Sequence, residues 1–180
     1  MAYHGFMPSQ TRISSEISDE LAQRELRRIV RVLKRSGENS GKSSRALLGR
    51  FQKSIGGLPP IQITVALVTD ATMKALNARY RGKGKTTDIL SFSAPLALQK
   101  LGQLGELVIS KGALKRQAED HGHSQKTELR ILLVHGVVHL LGFDHERDSK
   151  EFDAQQRAEQ MLFRLLGWKL SGLMKRAPAR

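Results

Sequence analysis

The chain has 180 residues, 39% of them hydrophobic, which is enough to bury one ordinary core and points to a single domain. It contains no cysteine, which excludes a disulfide framework, thiolate metal sites and thiol catalysis, and fits a reducing cytoplasm. Thirty Lys and Arg against 17 Asp and Glu give a net charge of +13, the footprint of a protein that meets a polyanion. Aromatics at 5%, with no basic helix lined by Trp or Phe, turn that expectation toward nucleic acid rather than a membrane surface.

The first ten residues lack a basic stretch followed by an apolar one, and no apolar run approaches the ~20 residues of a membrane span, so a soluble, unexported, cytoplasmic protein is expected. Residues 1–10 read as a disordered start and Thr11–Ile17 as a short first strand. From Ser18 onward Leu21, Leu26, Ile29, Val30 and Leu33 recur at helical spacing, with Ser18 or Asp19 as the cap and an end near Lys34. Arg24, Arg27, Arg28, Arg31 and Lys34 line the polar side; a solvated face is the plain reading and RNA contact the sharper one.

Ser36–Ser44 is rich in turn formers and reads as a loop. Its Gly-Glu-Asn-Ser-Gly-Lys-Ser run is one residue short of a phosphate-binding P-loop and follows a helix instead of a strand. Arg45–Lys53 reads as a short helix. Ile61–Thr69 alternates and is rich in β-branched residues, which predicts a strand. Asp70 is placed as the cap of a helix to about Arg79. Arg81–Thr87 reads as a basic, glycine-broken loop, Asp88–Phe92 as a strand, Ala94–Gln103 as a loop and Leu104–Ser110 as a strand paired antiparallel to the one before. Ser110 caps a helix to about Asp120, where His121 and His123 are given structural roles at its end. Helices over Ser124–Leu141 and Asp148–Leu166 follow, the last with a stripe of Phe152, Ala158, Met161, Leu162 and Leu165, and Met161 is assigned to core packing. Residues 169–180 read as a basic, disordered tail.

The stretch Leu129–Asp148 carries the chemistry. His135 and His139 stand four apart in an apolar helical run, so both imidazoles leave one helix face about a turn apart. Gly142 suits the left-handed residue that ends a helix, after which the chain can return His145 to the same point. Three neutral imidazoles with a fourth position left to water predict a catalytic site for one divalent metal ion, zinc, which lowers the pKa of bound water toward neutrality. The spacing also overlays the zinc helix of the metzincin proteases. Those enzymes place a glutamate general base directly after the first histidine, where this chain has Gly136.

With its flanks, His135-Gly-Val-Val-His-Leu-Leu-Gly-Phe-Asp-His145 resembles the signature of the YbeY family of metal-dependent endoribonucleases. Tyr80-Arg-Gly-Lys-Gly-Lys-Thr-Thr-Asp-Ile-Leu-Ser-Phe92 and Leu104-Gly-Glu-Leu-Val-Ile-Ser110 match the family's pattern as well, and the resemblance covers roughly residues 60–168. It implies a single-strand-specific endoribonuclease in ribosomal RNA maturation and ribosome quality control, with RNA and the small ribosomal subunit or its proteins as partners. It makes Arg81 the catalytic residue. A guanidinium can meet two phosphoryl oxygens at once, and Lys83 and Lys85 would hold phosphates nearby. Asp88, Ser91 and Asp144 become candidates for orienting ligands or backbone, as does Glu106, which stands where many members have Asp. Residues 35–57 look like an insertion. Two other readings remain: a zinc-dependent peptidase, and a zinc-stabilised RNA-binding assembly factor. The fold class expected is α+β, a mixed sheet of about four strands with about five helices on one face and the zinc-binding helix central, over residues 11–168.

Overall fold

The computed structural model describes residues 17–38, 47–50, 61–143 and 149–169. Its elements in chain order are α1 (Asp19–Glu38), β1 (Gln62–Val68), α2 (Asp70–Arg81), β2 (Ile89–Ser93), α3 (Leu96–Lys100), β3 (Gln103–Ser110), α4 (Lys111–Asp120), α5 (Gln125–Leu140) and α6 (Ser149–Leu166). A helical stretch at residues 47–50 buries Leu47 and Leu48 in the same core. Among the described residues no helix is long and apolar enough to cross a membrane.

The sheet is mixed, in the order β1-β3-β2. β1 runs parallel to β3 from Gln62 opposite Gln103 to Val68 opposite Ser110, and β2 pairs antiparallel to β3 from Ile89 opposite Ile109 to Ser93 opposite Gly105. The antiparallel pair therefore forms as expected. The described residues hold three strands where about four were expected, because residues 11–16 lie outside them and Ile17 is buried without regular structure.

β1 is an edge strand, and α1 covers it. The Leu67 N–H donates to Asp19 Oδ1 (3.1 Å), and Gln23 Nε2 donates to the Val65 carbonyl (2.9 Å), so two edge groups of β1 are satisfied by helix side chains. Ser18, not Asp19, caps α1 by accepting from the Leu21 N–H. The helix continues through Ser36 to Glu38, past the expected end at Lys34, since Ala22, Leu26, Ile29 and Leu33 stay on a buried face that favours continuation over local turn chemistry. The rest of the 39–60 stretch outside residues 47–50 is beyond the described residues.

Two further assignments change. Thr69 is the cap of α2, accepting from the Thr72 N–H, while Asp70 turns to α4. There its carboxylate accepts from Ser110 Oγ and from Arg116 (2.7 Å). Leu96–Lys100, expected as loop, is helical behind Pro95, whose fixed φ suits the start of a helix. With the Tyr80 end of α2, which meets Phe92 edge to face at 5.0 Å, α3 borders the sheet side away from α5, so the helices are not confined to one face.

α5 is central. Ten of its sixteen residues are buried, including Leu129, Leu132, Leu133 and Val137, which is the signature of a helix enclosed on nearly all sides. α6 packs across it with Ala158, Leu162, Phe163 and Leu166; Leu165, expected in that stripe, is 41% exposed.

Arg116, then Ser110, hold the Asp70 carboxyl below the usual carboxylate range. A depressed folded-state pKa stabilises the fold above the unfolded-state value of about 3.9 and loses that contribution as pH falls through the folded value. Asp70→Asn should therefore unfold at lower urea concentration than the natural chain at pH 7, with the gap closing as the pH falls below about 4.

Candidate metal centre

His135 and His139 lie one turn apart near the C-terminal end of α5, with ring centroids 4.7 Å apart and both side chains partly exposed on an otherwise buried helix. The C-terminal end is built as the glycine predicts. Gly142 has φ +90°, donates to the His139 carbonyl (2.9 Å), and releases the chain into Phe143. Asp144 and His145 lie outside the described residues.

Two residues absent from the sequence reading complete the described part of the centre. Glu159 Oε1 lies 2.8 Å from His135 Nδ1. Gln155 Nε2 donates to Glu159 Oε1 (2.9 Å) and sits 3.1 Å from His135 Nδ1 and 3.5 Å from His139 Nε2. Both are buried on α6, Glu159 at 8% and Gln155 at 3% exposure. A carboxylate on Nδ1 fixes the proton there, orients the ring and makes Nε2 the nitrogen with the lone pair, which is the outer hydrogen bond that metal-binding imidazoles usually make. The pair fits a divalent ion on that ground. The missed signal was readable, since residues 155, 159, 162 and 166 share one helix face, and a Gln and a Glu on a core face need a reason to be there.

Gly136 explains why no glutamate follows the first histidine. A Cβ built there would lie 2.7 Å from Ile89 Cδ1, 2.7 Å from Leu107 Cδ2 and 3.2 Å from Ser91 Oγ. Gly105 makes the matching approach on β3, where a Cβ would collide with the Phe92 carbonyl oxygen and meet Leu140 Cδ2 at 2.9 Å. The helix thus rests on the sheet at this point, and Ser91 lies directly beneath the residue that follows His135.

The remaining candidates fall in two places. Arg81 ends α2, and exposed Lys83 and Lys85 follow in the connection to β2. That connection is held in shape by buried Asn77, whose Nδ2 donates to the Lys85 carbonyl (2.7 Å), and by Asp88, which accepts from the Ile89 N–H (2.8 Å) and Gln117 Nε2 (3.0 Å). Asn77 was missed because a single polar residue in a helix announces no partner. Glu106 is the outlier. Strand alternation turns it away from the α5 side occupied by Gly105 and Leu107, into a cleft of about 330 Å³ that it lines with Thr64, Phe92 and Leu98.

Among the described residues, one trio of side chains stands close enough to hold an ion. These are His121, His123 and Glu128, with ligand atoms within 4.8 Å of one another. Glu128 is fully buried, with His123 Nε2 at 2.6 Å and His121 Nδ1 at 3.8 Å. His123 Nδ1 is buried without a hydrogen-bond partner, so its ring lacks the outer bond that His135 has.

The family model described as "Endoribonuclease YbeY" matches residues 19–166. The chain belongs to this family. The match reaches back through α1 to residue 19, well before the motif-bearing part that begins near residue 60. Among similar proteins, the chloroplastic Endoribonuclease YBEY of Arabidopsis thaliana is 39% identical over 127 residues, 69% of this chain and 22% of that protein. Endoribonuclease YbeY of Nautilia profundicola is 45% identical over 94 residues, 52% of this chain and 66% of that one. That of Leptospira interrogans is 43% identical over 107 residues, 50% of this chain and 76% of that one. The first two matches thus span less than two thirds of the relatives' own lengths. The solution structure of TM1509 from Thermotoga maritima aligns over 79% of this chain and 96% of that one, with 20% identity and a TM-score of 0.41.

Two outcomes follow from this geometry. Gly136→Ala should lower stability by about 1–3 kcal/mol through overpacking, measured by urea denaturation, and Gly136→Glu by more; an unchanged midpoint for both would mean the helix does not rest on the sheet there. Glu159→Gln should weaken divalent-metal affinity by roughly 10- to 100-fold in a chelator competition assay while the helical circular dichroism stays unchanged.

Proposed function

We propose that this chain is a metal-dependent endoribonuclease that cuts single-stranded RNA and acts in ribosomal RNA maturation and quality control, in the cytoplasm and with the small ribosomal subunit as partner. The observation that carries the reading is the family match over residues 19–166, which includes a histidine pair whose first member, His135, is oriented by a buried carboxylate. The net charge of +13 supports a polyanionic substrate.

His135 and His139, with His145 as the third ligand, would hold one divalent ion, zinc. Bound there, the ion supplies a water of lowered pKa and a Lewis acid for phosphoryl oxygen. Glu159 keeps the His135 proton on Nδ1, and Gln155 holds the Glu159 carboxylate in place by donating to its Oε1. Arg81 places a planar guanidinium on two phosphoryl oxygens, where negative charge grows as phosphorus becomes pentacoordinate, and Lys83 and Lys85 hold neighbouring phosphates. Asn77 and Asp88 keep that connection in register with the strand that carries Ser91. Asp144 is assigned to the turn before His145, and Glu106 to the cleft on the far side of the sheet.

A peptidase built on the same helix needs a general base after the first histidine, and the space at residue 136 is filled by Ile89, Leu107 and Ser91. An RNA-binding assembly factor would use the same cations without turnover, and one variant separates the two readings. Arg81→Ala should lose RNA cleavage by roughly 10²–10³-fold, the cost of one lost transition-state donor, with metal content and RNA affinity largely retained. His135→Ala, prepared identically, controls for a contaminating nuclease. Equal cleavage by natural chain and both variants, or loss of affinity alone in Arg81→Ala, would defeat the proposal.

A further inference from the structure

The outer face of α1 carries charge that nothing in the described fold uses. Arg24, Arg27, Arg31, Lys34 and Arg35 are all exposed; Arg24, Arg27 and Arg31 are three or four residues apart, and Lys34 and Arg35 follow Arg31 by three and four, so their heads share one side of the helix. The carboxylate nearest to them in sequence, Glu25, is 1% exposed and already surrounded by Arg130 (2.9 Å), Arg28 (3.3 Å), Lys126 (3.9 Å) and Arg24 (4.0 Å). Arg27, Arg31, Lys34 and Arg35 have no ion-pair partner among the described residues. Like charges at this spacing destabilise a helix by roughly 0.2–0.5 kcal/mol per pair, a cost that a solvated face of mixed sign would avoid.

We infer that this stripe is a binding surface for the phosphate backbone of RNA, separate from the histidine centre. The inference rests on the proposal that RNA is the substrate, and deepens it by requiring an RNA long enough to reach a second site. The row from Arg24 to Arg35 extends about 16 Å at 1.5 Å per residue, with a cation about every 5 Å, which suits a chain with one phosphate per nucleotide. A protein partner is a poorer fit. Interfaces need a buried apolar or aromatic centre, and the exposed large hydrophobics among the described residues, Tyr80, Leu96, Leu98, Leu101 and Leu165, include none on α1. At its foot the stripe stands apart from the chemistry. Arg130, which meets Glu25 at its foot, precedes His139 by nine residues of α5, about 13.5 Å along the axis and half a turn round. An oligonucleotide of a few residues would reach one site but not both.

The test is Arg27→Gln/Arg31→Gln/Lys34→Gln, a triple change of exposed residues to a good helix former, with circular dichroism to verify the fold. Binding is measured in the presence of a chelator, so it does not depend on turnover, for a single-stranded RNA of about 30 nucleotides, a short oligonucleotide and a poly-glutamate peptide. Long-RNA affinity should fall by tens of fold at about 0.1 M salt, and the slope of log affinity against log salt should drop by about 2, from about 0.7 per lost phosphate contact. Cleavage of the short oligonucleotide should not change. Unaltered long-RNA affinity and slope would overturn the inference, as would an equal loss for short and long RNA or a loss confined to poly-glutamate. If the natural chain binds long RNA through this stripe yet cuts none, the nuclease proposal fails and the surface stands.

Discussion

The close approach of α5 to the sheet sets the geometry of the whole centre. Gly136 and Gly105 each leave out a Cβ that would meet a neighbour within 3 Å, so helix and strands touch where His135 begins to emerge from the core. This contact fixes the height of the helix above the sheet and places Ser91 beneath Gly136. It also removes the volume that a glutamate would need at position 136. A single packing constraint therefore separates this helix from the protease helix whose histidine spacing it shares.

A second constraint comes from α6. Burying a carboxylate and a carboxamide costs several kcal/mol unless each finds partners, and Gln155 and Glu159 find them in each other and in the histidine rings. The same two side chains put polar groups on the helix face that carries Leu162 and Leu166. Stability on that face is given up for the orientation of His135. Local departures from the apolar pattern of this kind are expected at functional sites.

Charge follows a consistent plan. Three carboxylates tie parts of the fold together: Glu25, buried, links α1 to α5, Asp70 links α2 to α4, and buried Glu128 holds the histidines that follow α4. Cations occupy the outside, on α1 and on the connection after α2. The excess positive charge of the chain can act on a distant polyanion and on association rate.

Much of the arrangement was legible in one dimension because it rests on local physics. The spacing of His135 and His139, the turn at Gly142, the cap at Ser110, and the strand alternation of Ile61–Val68 and Leu104–Ile109 are each determined by a few adjacent residues. Only the tertiary structure could decide what depends on contacts between segments far apart in the chain. Thr69 replaced Asp70 as a cap because Ser110 and Arg116 claimed the aspartate, and α1 ran to Glu38 because its buried face outweighed the turn formers after Lys34. Glu159, twenty-four residues from His135, became its partner because α6 folds back across α5. Which polar side chain meets which histidine is a property of that crossing, and no local pattern encodes it.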